Sequence, residues 1–210
     1  MTLLFMAVCL SAVFSEEHTR RTDQLILSSA KGKNAAYWAK IFAGMTVSVI
    51  CAVLMTLTTI VLSLGIYGTD GYNAALQIEF MTYSYPLTIG QACLILYGIL
   101  IVTSVLFGLF VMVLSEFFHS GTVAMAISTV LIIAGQMIEI PEQFRIVSQI
   151  WDSLPMKFLS IWDVYNTRPV TVWGHCFVSW QFVPVAYLLS CFAITVIGKS
   201  LFQNYQVSGR

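Results

Sequence analysis

The stretch IFAGMTVSVICAVLMTLTTIVLSLGIY, residues 41–67, decides the fold. It carries no charge, and at about 1.5 Å per helical residue it outruns the roughly 30 Å of hydrocarbon in a bilayer. It reads as a membrane-spanning helix with length to spare for tilt. Composition points the same way: 58% of residues are apolar, 10% are charged and the mean hydropathy is +0.84. A soluble fold could not hide that much apolar surface. The formal net charge is zero, so no bulk electrostatic case exists for binding nucleic acid.

Downstream, residues 87–114, 121–138 and 182–197 form three more apolar runs, which gives an all-α polytopic membrane protein with four full spans. The run at 87–114 is also long enough to tilt, whereas 121–138 and 182–197 are short unless flanking aromatic residues are included. A fifth apolar piece, Thr2 to Phe14, is too short to cross and lacks the features of a signal peptide. It reads as residues 1–14 of a partial span, the tail of a helix in an N-terminally truncated chain, with a short interfacial helix as the alternative.

Upstream of residue 41 lies FSEEHTRRTDQLILSSAKGKNAAYWAK, residues 14–40, which holds five of the ten basic residues: Arg20, Arg21, Lys31, Lys33 and Lys40. Short Lys- and Arg-rich loops beside spans stay in the cytoplasm. With residues 15–40 inside, Lys199 and Arg210 join them, against Arg145, Lys157 and Arg168 outside. The expected placement is therefore a multi-pass protein of the cell membrane with its elbow and C-terminus cytoplasmic. Ser15 suits an N-cap, Glu16 and Glu17 suit a first turn, and Glu16–Arg20 and Glu17–Arg21 are favourable i,i+4 pairs. Gly32 is expected to end that short helix. A solvated amphipathic connector would show the same pattern.

Residues 139–180 are expected to form an outer helical hairpin. Phe144, Val147, Trp151 and Leu154 recur at helical spacing after Pro141, and Phe158, Ile161, Trp162 and Tyr165 repeat the pattern. Trp and Tyr also collect at headgroup level, so membrane anchoring is a second reading of the same residues. Residues 68–86 read as an outer connector.

Within the spans, Gly44, Ser48, Ala52 and Thr56 form a row of small residues at every fourth position, and Ser104 and Gly108 form another, a spacing suited to close helix packing. Gln91 and Gln136 are the most polar groups near span interiors, so they are candidate pathway residues, with an interhelical hydrogen bond as the plainer reading. Catalytic signatures such as HExxH, GxSxG and CxxC do not occur, and Gly198-Lys199-Ser200 lacks the leading glycine of a phosphate loop. The three histidines lie on different loops, and the five cysteines have no framework spacing. No catalytic residue, metal site or cofactor site is expected in this chain.

The order of an apolar tail, Glu16-Glu17, Thr22 to Ser29, Lys31-Gly32-Lys33 and then Lys40 entering a long span resembles the cytoplasmic elbow of type-2 ATP-binding-cassette (ABC) exporter permeases. The remaining span order and the paired outer helices are similar to the same family. The resemblance implies a single transmembrane permease domain over 1–210, with residues 15–35 as a coupling helix that docks on a separate ATPase subunit. It further implies that Glu16, Glu17, Arg20, Arg21 and Asp23 touch that partner, which binds ATP and Mg. Phe144, Trp151, Phe158 and Trp162 would form an outer gate, and a second permease half would complete a homo- or heterodimer in the lipid bilayer. A non-transporting membrane scaffold, or an accessory subunit of a larger membrane complex, is the alternative.

Overall fold

The computed structural model describes residues 1–15, 32–69, 71–78, 86–141, 143–159, 164–165, 170–172 and 175–204. The charged elbow at residues 16–31 lies outside them. Helix α1 covers Thr2–Leu10, and its apolar helical stretch continues to Ser15. It is followed by α2 (Gly32–Tyr67), a 3-10 turn (Leu76–Ile78), α3 (Ile89–Phe118), α4 (Gly121–Met137) and α5 (Arg145–Asp152). Strands β1 (Val170–Val172) and β2 (His175–Phe177) precede the last helix, α6 (Ser179–Asn204).

Three of these helices are long and apolar enough to cross a membrane: Asn34–Tyr67, Ile89–Phe118 and Ser179–Phe202. Of the four full spans expected, all four runs form helices, and three of these have the length and hydropathy of a span. Helix α4 forms where residues 121–138 were expected to span, but its 17 residues cover only about 26 Å, short of roughly 30 Å of hydrocarbon. Its chain turns off at Ile138, which has an extended backbone and donates its N–H to the Ala134 carbonyl. Gly32 begins α2 instead of closing the elbow, so residues 32–35 already belong to the helix that enters the span. In residues 139–180, the first expected helix is present as α5, and turns follow it over 153–159. The second expected helix falls mostly outside the described residues, and an antiparallel strand pair follows, with Val170 opposite Phe177 and Val172 opposite His175. The β-branched run Val-Thr-Val suits that strand, since such residues favour extended backbone.

Helix α3 is the axis of the bundle: it packs against α1, α2, α4 and α6. In its most apolar window 44% of residues are buried, against 11% and 17% for the other two long helices. Small residues let the neighbours approach. Gly108 faces Ser48 of α2 and Leu10 of α1, and a Cβ at Gly108 would collide with Ser48 Oγ and come within 2.8 Å of Leu10 Cδ1. Gly44 meets the Met112 thioether in the same way. Ser48, Ala52, Thr56 and Ser104 are all buried, so both small-residue rows serve packing. Their hydroxyls return to the helix's own backbone: Ser48 Oγ donates to the Gly44 carbonyl at 2.9 Å, Thr56 Oγ1 to Ala52 at 3.0 Å and Ser104 Oγ to Leu100 at 2.7 Å. Such self-satisfied hydroxyls sit in an apolar interface without an unpaired donor.

Helix α1 is inserted into this bundle with Leu3, Met6, Ala7, Leu10 and Phe14 buried. Residues 71–78 do more than connect. The Tyr72 and Ala74 carbonyls accept the N–H groups of Gly90 and Ile89, each at 2.9 Å, and so satisfy part of the first turn of α3. At the far end of α3, His119 takes a left-handed conformation (φ 55°) and turns the chain tightly into α4.

The Gly108 contact makes a direct prediction. Gly108→Leu is expected to destabilise the fold by about 1–3 kcal/mol through overpacking. The measurement is the unfolding midpoint of the purified protein in mild detergent. Gly98→Leu is the control: a Cβ there meets nothing within 4 Å, so the midpoint should hold or rise.

Candidate functional site

Both described ends of the elbow converge on one side-chain cluster, at the end of the bundle that holds Ser15, Asn34 and Phe202. Phe14 closes α1, Tyr37 and Lys40 lie two turns into α2, and Phe202 closes α6. The three rings form a triangle, with centroids 6.0 Å apart for Phe14–Tyr37, 5.9 Å for Phe14–Phe202 and 5.7 Å for Tyr37–Phe202. Lys40 Nζ sits 4.6 Å from the Phe14 centroid and 5.8 Å from that of Phe202, so one cation bridges rings from α1 and α6. Tyr37 Oη donates to the Thr195 carbonyl at 2.6 Å and ties α2 to α6. Gly198 makes room for that tyrosine, because a Cβ there would stand 2.8 Å from its hydroxyl.

The serine side of the cluster fastens α1 to α3 and α4. Ser115 Oγ donates to the Ser11 carbonyl at 2.5 Å, and Ser15 Oγ reaches the same carbonyl at 3.3 Å. Gly121, the first residue of α4, lies against Ser15 and the Ser11 carbonyl, where a Cβ would be too close to both. Glu116, on α3 beside Ser115, is also buried. The last residues before the elbow and the first helical turns after it are therefore held by α3, α4 and α6 together.

The residues expected to touch a partner, Glu16, Glu17, Arg20, Arg21 and Asp23, lie outside the described residues, as does Trp162. The other three expected gate residues part company. Phe144 is exposed at the start of α5. Trp151 donates Nε1 to the Ile138 carbonyl at 2.9 Å and fixes α5 beneath the end of α4. Phe158 is buried and packs edge-on against Tyr187 of α6 with centroids 6.1 Å apart, while Tyr187 Oη donates to the Ser153 carbonyl at 2.6 Å.

Both glutamines have local work. Gln91 closes a capping box at the start of α3: Thr88 N–H donates to Gln91 Oε1 at 3.2 Å and Gln91 N–H to Thr88 Oγ1 at 3.3 Å. Gln136 Nε2 donates to the Met156 carbonyl at 2.5 Å and joins α4 to the turns after α5. Among the described residues, no group of three or more His, Cys, Asp or Glu is placed to hold a metal ion.

Reading the sequence missed Phe14, Tyr37 and Phe202 as a unit. Aromatic residues at span ends were the available signal, but their meeting depends on three helix ends separated by most of the chain. A double-mutant cycle of Lys40→Met with Phe14→Leu is expected to show a coupling of about 0.5–2 kcal/mol in thermal unfolding. Phe14→Ala alone should cost about 3–5 kcal/mol. No family model, no curated protein and no solved structure matches the chain.

Proposed function

We propose that this chain is the membrane permease component of an ATP-driven exporter whose ATPase is a separate subunit. The observation that carries the reading is the shared anchorage of the two elbow ends. Ser15 and the first turns of α2 enter one cluster that also grips α3, α4 and α6, so an elbow pushed by a partner would move the bundle as a set. In this reading residues 15–35 form the coupling helix, and Glu16, Glu17, Arg20, Arg21 and Asp23 make the electrostatic contact with the ATPase, where opposite charges steer and register docking. ATP and Mg belong to that partner. The protein sits in the cell membrane with its elbow and C-terminus cytoplasmic, as the basic residues favour, and two permease halves assemble around the transport route.

The sequence supports transport without an ionisable pathway, because none of the three apolar helices carries Asp, Glu, Lys or Arg near its centre, where proton- and ion-coupled carriers place theirs. The energy would come from the partner's nucleotide cycle. Phe158 and Tyr187, with Trp151 fixed to Ile138, supply a packed closure between α4 and α6 that suits a gate.

The test is co-purification from the native membrane in mild detergent. A stoichiometric companion with a phosphate loop is expected, and reversing Glu16 and Glu17 together to Lys should release it while the unfolding midpoint stays unchanged. A folded preparation that brings down no ATPase, or one whose ATPase is indifferent to the reversal, would move the assignment to a membrane scaffold.

A further inference from the structure

A cavity of about 510 Å³ opens between α3, α5 and α6, and the export reading uses only Tyr187 of its wall. Phe107 and Phe110 of α3, Ile150 of α5, Met156, and Phe182 and Tyr187 of α6 are among its lining residues. Among the described residues, no charged side chain lines it. Three of its four polar side chains are already committed to backbone carbonyls: Tyr187 Oη to Ser153, Ser153 Oγ to Gln149 at 2.7 Å, and Ser190 Oγ to Ala186 at 2.8 Å. An occupant would gain almost no hydrogen bond here, so the cavity selects for an apolar one.

Position names the source. The lining residues of α6 lie about 5 to 23 Å along the helix from Ser179, in the depth range that a spanning helix gives to hydrocarbon. The rim continues as exposed apolar side chains, Val185 and Leu189 on α6 and Ile146 on α5. Size limits the shape: a helix is about 10–12 Å across with its side chains, and 510 Å³ is no more than about one turn of such a cylinder. A slender chain fits where a helix does not. With α4 ending at Met137, the chain continues as α5 and turns, and the Ile138, Ser153 and Met156 carbonyls accept from Trp151, Tyr187 and Gln136.

We infer that this cavity is a binding site for the acyl chain of a membrane lipid, entered sideways between α5 and α6. The site depends on membrane placement alone and holds with or without an ATPase partner. The experiment reconstitutes the full chain into phosphatidylcholine vesicles containing a phosphatidylcholine with a diazirine in one acyl chain. After irradiation the labelled residues are mapped by mass spectrometry. Labelling of 106–110 and 146–156 is expected to exceed, severalfold per residue, that of the exposed α2 residues Ile50, Leu54 and Leu57. Ala186→Trp should remove most of the cavity signal and leave the α2 signal as it was, and Ser190→Phe is the second filling variant should the first not fold. Cavity labelling no greater than that of α2, or labelling that survives filling in a folded variant, would overturn the proposal. So would protection from the label accompanied by cross-links to a second copy, which would assign the space to a protein helix.

Discussion

The close approach of α1 and α2 to α3 at Gly108 is the constraint on which the rest of the structure depends. Between apolar helices in an apolar medium there is little hydrophobic force, and association rests on dispersion contacts and on how near the backbones come. Gly108, Ser48, Gly44 and Ser104 supply that nearness, and Leu10 and Met112 fill the space that remains. With α1 and α2 set against one side of α3, α6 takes another, and α4 is led around the end by His119. The aromatic triangle exists only because three helix ends are then brought to one level.

That triangle is unusual in where its charge sits. Lys40 is held over two rings, a placement that favours a cation by the ring quadrupole and lets its stem pack against apolar neighbours. Tyr37 adds a directional link to Thr195, while the serine contacts hold α1 through its backbone. Dispersion, cation–π attraction and hydrogen bonding therefore act between the same helices, and none of these contacts needs an element beyond the bundle.

Much of this was legible in the sequence where the physics is local. Residues 41–67 and 87–114 announced their helices by hydropathy and length, and the four-residue spacing of Gly44, Ser48, Ala52 and Thr56 marked a packing face. Gln91 was readable too, since Thr88-x-x-Gln91 before an apolar run is the capping-box pattern, yet its polarity in an apolar setting drew attention to a pathway instead. The boundary at Gly32 was missed because glycine's preference for helix ends is a weak prior beside the pull of a long span behind it. The meeting of Phe14 with Phe202 and the capture of Met156 by Gln136 depend on tertiary arrangement, which no window of sequence contains. The candidate coupling residues at 16–23 rest on sequence and resemblance alone.

The unequal helix lengths carry a consequence for the membrane itself. At about 1.5 Å per residue, α2 extends for about 54 Å and α4 for about 26 Å, so no single hydrocarbon thickness matches both. A thick bilayer leaves α4 and the folded-back segment beyond it under a deficit, met by lipid compression around that corner. A thin one forces α2 to lean or to lift its ends into the headgroups. The protein is thus asymmetric in its mismatch: one flank prefers thicker lipid and the other thinner.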